Sequence, residues 1–492
     1  MIDLLQNLLH GFAVALTPTN LLFALIGVFA GTVIGALPGI GTVVGVSLLL
    51  PLTFGMDPTS AIIMLAGIYY GAQYGGTISS VLANIPGESA TVVTTLDGYQ
   101  MARQGRAAKA LGIATIGSFI AGTFGVVMVT LLSPLLTRIA LQFGPPEYFA
   151  LILLGFTAIS AIGGRSPVKG LISVTVGLLL ATVGLDVMSG RPRFTFGQDW
   201  MLDGFSFLVV AIGLFGIGEI LEGMMTPGGH PVMQASPHWR DALPSAADWV
   251  RSRWAIVRGT IVGFIVGILP GAGATLASFI AYSVERKASK HGYEFGKGAI
   301  EGVAAPESAD NAASAAAMIP LLTLGIPGSG TTAVLLGALM MYGVRPGPQF
   351  MTEQSELVWT IIASLYVSNL ILLILNLPMI RLFVKILDVP VRILMPLILI
   401  FATIGAYSIN GSINDAWLVL IFGILGYLMR ETGISPALFV LALVLGEQLE
   451  RSLRQAVYIS KGSIEPFFTH PISLILILVT VAILVYDIIR RR

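Results

Sequence analysis

The chain has 492 residues, of which 55% are hydrophobic and 11% charged, with 27 Lys and Arg against 26 Asp and Glu for a net charge of +1; a soluble protein carries about 25% charged residues, and the mean hydropathy here is +0.87. There is too little charge to wet the surface of a soluble chain of this length, no net field to draw a nucleic acid, and no cysteine to build a disulfide framework, a thiolate metal site or a cysteine nucleophile. What remains is an all-α polytopic membrane protein, which the 57 Gly and 26 Pro suit, because membrane bundles use small residues for close helix contact and tolerate broken helices.

In chain order, the first residues read MIDLLQNLLHGFAVALTP, with no Lys or Arg ahead of the apolar run, so they do not read as a secretory signal. Leu4, Leu5, Leu8, Leu9 and Phe12 share one helical face and Asp3, Gln6, Asn7 and His10 lie largely opposite, which predicts a short interfacial helix before the first span. A crossing needs about 20 apolar residues. Candidate segments lie near 20–50, 60–84, 110–136, 147–163, 168–187, 204–224, 255–283, 303–326, 328–344, 357–380, 390–409, 414–429, 434–449 and 471–489. Several are short or interrupted, so the expectation is 11 to 13 transmembrane helices plus broken or re-entrant elements. The polar stretch 225–254 reads as a linker between a first half (1–224) and a second half (255–470), and 471–492 as a last helix with a basic tail.

The halves repeat. GALPGIG at 35–41 returns as GILPGAG at 267–273, an offset of 232, and IPGE at 85–88 returns as IPGS at 326–329, an offset of 241. Lys and Arg collect in cytoplasmic loops. In the first half the stretch between the motifs (54–60) holds none, and the stretch after them (97–109) holds Arg103, Arg106 and Lys109. In the second half 284–298 holds Arg286, Lys287, Lys290 and Lys297, and 345–356 holds only Arg345. Equivalent loops carry opposite bias, as two inverted structural repeats require. Arg490, Arg491 and Arg492 put the C-terminus in the cytoplasm.

A Pro-Gly pair inside an apolar helix removes a backbone donor and permits a break. The freed groups survive at membrane depth only inside protein or beside a watery cavity. A half-helix N-terminus offers amides to an anion, and the carbonyls of the preceding half can hold a cation. Breaks at Pro38-Gly39, Pro86-Gly87, Pro270-Gly271 and Pro327-Gly328 occupy paired positions, the pattern of a transporter's midplane site; packing kinks are the plainer reading. Before the second break, Tyr70, Gln73, Thr77, Ser80 and Asn84 share a helical face, and Glu88, Ser89 and Thr91 follow. The offset of 241 sets Asn311 opposite Tyr70 and Ser314 opposite Gln73. Interhelical hydrogen bonding is the alternative role for this stripe. Glu88, Asp97, Glu307 and Asp310 are candidates to bind Na⁺ or carry a proton; the alternative is that they cap helix N-termini.

One wall of the expected substrate site is therefore Asn84, Pro86, Gly87, Glu88, Ser89 and Thr91. The other runs from Ile326 to Thr332, with Gly328, Ser329, Gly330, Thr331 and Thr332. Pro38, Gly39, Pro270, Gly271, Glu307, Asp310 and Asn311 are the candidates for ion coupling. With no Lys or Arg in the centre of a span, an anion would be held by amides and hydroxyls together with the coupling cation. The five histidines lie in loops or at span ends without metal-ligand spacing, Gly328-Ser329-Gly330 has no intramembrane base nearby, and no phosphate-cradling loop occurs. No enzyme activity, resident metal, other cofactor or nucleic-acid partner is expected. A channel or passive exporter of organic anions would use the same breaks as a filter.

GALPGIG at 35–41, YYGAQYGGTISSVLANIPGE at 69–88, DGYQMARQGRAAKALG at 97–112, TVGLDVMSGRPRFTFG at 182–197, GILPGAG at 267–273, APESADNAA at 305–313 and GIPGSGTTAVLLGAL at 325–339 resemble the large membrane subunit of the bacterial tripartite tricarboxylate transporters. Arg451, Arg454 and Pro471 in the tail stretch are also similar to that family. The resemblance implies a secondary transporter of the inner membrane, a small four-span membrane partner, and a periplasmic solute-binding protein that delivers substrate. It also implies uptake of citrate-like carboxylates coupled to a Na⁺ or H⁺ gradient.

Overall fold

The computed structural model describes residues 2–37, 41–163, 167–186, 188–218, 239–269, 273–386 and 411–490, with 221–222, 396, 399–400, 402–404 and 406–407. Helix α1 (Ile2–Ala15) precedes α2 (Pro18–Ala36), α3 (Thr42–Leu49) and α4 (Pro58–Ala83). After a break come α5 (Val92–Arg103), α6 (Ala107–Ala140), α7 (Pro145–Gly163) and α8 (Pro167–Ala181). A two-stranded hairpin, β1 (Gly184–Leu185) with β2 (Pro192–Arg193), leads to α9 (Phe207–Ala211), which continues as a π-helix over Ile212–Ile217. The second half holds α10 (Ala246–Ile268), α11 (Gly273–Ala288), α12 (Glu301–Leu324), α13 (Gly330–Met341), α14 (Ser355–Ile386), α15 (Ile413–Glu431), α16 (Pro436–Ile459) and α17 (Pro471–Arg490).

The fold is that of an all-α polytopic membrane protein. Twelve of the described helices have 15 residues or more. Among the described residues, four segments are long and apolar enough to cross a membrane by length and composition: α2, α6, Ser355–Ile380 of α14, and α15. Helices α4 and α12 occupy the centre. Every residue from Ser60 to Ala83 and from Glu301 to Thr323 is buried, so their polar side chains face protein, where hydrogen bonds can satisfy them.

Glycine stripes seat these two helices, and the stripes obey the repeat. Gly27, Gly31 and Gly35 of α2 lie against the backbone of Met64, Ile68 and Ala72 on α4, close enough that an added Cβ would overlap it. Gly259, Gly263 and Gly267 of α10 lie in the same way against Ala305, Ala309 and Ala313 on α12. The first set maps onto the second by 232 and its partners by 241, the offsets of the two Pro-Gly motifs. The two halves thus share a local architecture as well as a sequence signature. The next helix of each half then crosses over: Gly117 and Gly125 of α6 pack on α12, and α14 packs on α4.

Two expectations change. The stretch 225–254 is not linker throughout, because α10 begins at Ala246, capped by the Ser245 side chain and Asp248. Lys109 pairs with Asp248 at 2.8 Å and ties this start to α6. The N-terminal helix does not offer its whole apolar face to an interface. Gly11 rests on the Trp359 carbonyl of α14 and Leu4, Leu8 and Phe12 are partly buried there, leaving Leu5 and Leu9 exposed.

Candidate functional site

The second break of each half is built the same way. Helix α4 ends at Asn84, which takes a left-handed conformation (φ 56°, ψ 26°), and α12 ends at Gly325 in the same conformation (φ 71°, ψ 22°). Glycine is at ease there and asparagine tolerates it. Four residues on, Glu88 (φ −145°, ψ 170°) and Ser329 (φ −155°, ψ 171°) are extended N-caps. The amide of each donates to the hydroxyl of a threonine three residues later, Thr91 and Thr332. Gly87 approaches Gly76 and the Gly35 carbonyl, and Gly328 approaches Ala317 and the Gly267 carbonyl. All of these pairs are related by the repeat offsets.

The halves meet across α4 and α12 through side chains. The Tyr69 hydroxyl donates to the Ser314 carbonyl at 3.1 Å, Gln73 Nε2 to Asp310 Oδ1 at 2.7 Å, and Thr77 Oγ1 to Glu307 Oε2 at 2.6 Å. Gln73 also donates to the Ser314 hydroxyl, its own equivalent in the repeat. Numbers rise along one helix as they fall along the other, so α4 and α12 run antiparallel. Equivalent helices that pair antiparallel relate their halves by a two-fold axis across the helices, the geometry of an inverted repeat.

Of the expected stripe, Gln73 and Thr77 reach the opposite half. Ser80 instead donates to Thr91 Oγ1 at 2.8 Å, and the Tyr70 hydroxyl is buried without a partner. Asn84 and Ser89 are exposed at the tip, and Pro86 is half-buried. Glu88 receives the Thr42 hydroxyl from the start of α3. Gly41 lies beside Glu88, and Val43 packs on Gly330, so the first-half tips and the second-half tip converge on the N-terminus of α3. Thr331 and Thr332 are buried at the start of α13. Pro38, Gly39, Pro270 and Gly271 lie outside the described residues.

Glu307, Asp310 and Asn311 do not open their helix. It starts at Glu301, and they sit in its second and third turns. Glu307 also accepts from Thr94 at 2.5 Å, and Asn311 turns toward α6, donating to Ser118 Oγ at 2.7 Å. Asp97 accepts the amides of Gly296, Gly298 and Ala299 at 2.8–2.9 Å and the Tyr282 hydroxyl at 2.9 Å, pinning the loop ahead of α12. Among the described residues no group of three or more acidic or imidazole side chains has metal-ligating geometry. A cavity of about 20 Å³ lies beside Ala66, Tyr69 and Met318 at one end of the α4–α12 contact. It is apolar and water-sized, so an organic anion does not fit it.

Residues 21–441 match the tripartite tricarboxylate transporter TctA family. The chain belongs to that family. A relative from Agrobacterium vitis, described as an uncharacterised 52.8 kDa protein in the TAR-I ttuC' 3' region, is 47% identical over 99% of this chain and 96% of its own length. A second from the same organism, in the TAR-II ttuC' 3' region, is 52% identical over 43% of this chain and 87% of its own length. No solved structure matches. This TctA-family chain is therefore a multi-pass membrane component of a transporter.

Two residues at these helices and tips escape the sequence reading. Tyr69 rather than Tyr70 crosses to α12; at spacings of four from Gln73 and eight from Thr77 it fits the stripe as well as Tyr70 does. Thr42 is the first helical residue after the first break, a position where a hydroxyl can reach a neighbouring tip. Arg258 of α10 was also missed: it forks onto Glu285 of α11 with two bonds of 2.7 Å.

Proposed function

We propose that this chain imports tricarboxylates or related organic-acid anions, citrate-like in charge, by secondary active transport driven by a Na⁺ or H⁺ gradient. A periplasmic binding protein delivers the solute, and a small four-span membrane subunit completes the complex. The chain sits in the inner membrane with its C-terminus in the cytoplasm, and it carries out no chemistry on the solute. The observation that carries this reading is the pair of matched breaks, Asn84–Thr91 and Gly325–Thr332, at the contact of two antiparallel halves in a TctA-family chain.

The chemistry fits an anion. Both tips present a helix start, whose unsatisfied amides and dipole favour negative charge. The wall residues remain Asn84, Pro86, Gly87, Glu88, Ser89 and Thr91 on one tip and Gly328 to Thr332 on the other. The solute enters as the tips part from α4 and α12. The broken elements then move together against the rest as a rigid body.

Uptake of labelled citrate and other di- and tricarboxylates into vesicles holding the membrane complex, with the binding protein added outside, tests this. Accumulation above equilibrium for at least one acid is expected, saturating with concentration. Flux that only equilibrates and does not saturate would identify a channel.

A further inference from the structure

Between α4, α12 and the first-half tip, acceptor oxygens outnumber the donors that face them. Asp310 is 1% exposed and Gln73 3%, and Glu88, half-buried overall, has its Oε1 shielded. Glu307 is served by two hydroxyls, Thr77 and Thr94. Glu88 receives only Thr42, and Asp310 only Gln73. Glu88 Oε1, Asp310 Oδ2 and Gln73 Oε1 meet no donor, and the Glu88 and Asp310 carboxyls face each other within hydrogen-bonding reach. No Lys, Arg or His occurs in 41–94 or 302–330. The other titratable groups toward this layer are Glu307 on α12, Tyr69, Tyr70 and Tyr74 on α4, and Tyr366 on α14. Asp97 and Tyr282, from α5 and α11, are bonded to each other at the far end of α12.

Two facing carboxylates taken out of water repel, and each costs several kcal/mol unless a positive charge is supplied. A proton shared by the Glu88 and Asp310 carboxyls supplies it. So does Na⁺, a hard cation that prefers oxygen ligands, taken by the same two carboxyls with the amide oxygen of Gln73. The two carboxyls also belong to different halves: Glu88 caps the first-half tip, and Asp310 lies on the second half's central helix.

We infer that Glu88, Asp310 and Gln73 form a site for one exchangeable positive charge, H⁺ or Na⁺, and that its occupancy clamps the first-half tip to the opposite half. This rests on the transporter reading and assigns its coupling step: loss of the cation leaves like charges facing across the joint, and the tip is released. Asn311, Pro38, Gly39, Pro270 and Gly271 are not required for it.

The purified full-length complex in detergent tests the site without transport. Its melting temperature is followed against NaCl, with choline chloride at equal ionic strength, and against pH from 8 to 6 without Na⁺. A rise with Na⁺ at fixed pH names sodium; a rise only on acidification names the proton. Asp310→Asn and Glu88→Gln remove a repelling charge, so each is expected to fold, to be at least as stable as the parent at pH 8 without Na⁺, and to lose the dependence. A parent indifferent to both Na⁺ and pH, or variants that keep its full response, overturn the inference. If the cation response holds while no carboxylate is accumulated, the transporter reading fails and the site stands. In uptake, both variants are expected to bring the inside-to-outside ratio down to about one.

Discussion

Asn84 occupies the place that Gly325 holds in the second half, with the same left-handed backbone. A β-carbon without a compensating polar group costs about 1–2 kcal/mol there, so Asn84 serves conformation as well as any contact with solute. Asn84→Ala and Thr331→Ala are each expected to abolish uptake while the complex still purifies intact. Asn84→Gly separates the two roles. If its uptake is normal, the amide is not part of the pocket; loss of uptake, which is the expectation, keeps it there. Away from the membrane-embedded contact, Asp186 shows how a loop carboxylate is held. The amide of Ser189, the Arg454 guanidinium and the amide of Met188 keep its carboxyl well below the usual carboxylate range. A depressed carboxyl stabilises the fold fully above its unfolded value of about 3.9 and progressively less as pH falls toward the folded one. The difference in melting temperature between the parent and Asp186→Asn should be constant from pH 7 to 5 and shrink below about pH 4. A difference that grows on acidification contradicts this. Arg258→Ala would strand Glu285, which is 1% exposed; a broken buried pair costs about 3–5 kcal/mol, the lower end applying because Arg258 is partly exposed.

Elements are where the sequence is most readable and also where it misleads. The Pro-Gly motifs carry their own physics, so the second break of each half could be placed from the letters alone, and helical spacing puts Gln73 and Thr77 on one face. What spacing cannot show is which of two adjacent tyrosines faces the partner helix; only the antiparallel seating of α12 decides for Tyr69. The acidic run at 307–311 reads as a helix start because Asp and Glu favour the first turn. The true start lies at Glu301, six residues earlier, and burial of the whole helix turns those side chains inward. The Pro, Ser and charge of 225–254 read as a linker, yet a capping box at Ser245 begins a long helix there. The glycine stripes make the strongest claim about elements. Gly31→Val or Gly263→Val would put side-chain atoms into the backbone of the neighbouring helix, and overpacking costs about 1–3 kcal/mol even where side chains can shift. Both variants should melt well below the parent in detergent, and Gly105→Ala, with nothing near it but an unfavourable backbone, should fall less.

For the whole molecule, the central fact is two antiparallel helices whose equivalent residues meet, with a broken tip from each half nearby. In the transport cycle proposed above, that arrangement would give one protein two related states, since exchanging the roles of the halves exchanges the side of access. The loop charges indicated the inversion, and the contacts Tyr69–Ser314 and Gln73–Asp310 express it, because the offset of 241 converts each pair into the other within the same two helices. The natural absence of cysteine allows a direct test of where the solute sits. Ser89→Cys and Ser329→Cys are introduced singly into the complex in vesicles, and the rate of maleimide labelling is measured with and without saturating solute. The account predicts that solute slows labelling at both tips, first half and second half alike. Rates at both positions that saturating solute leaves unchanged, in variants that still transport, would contradict it.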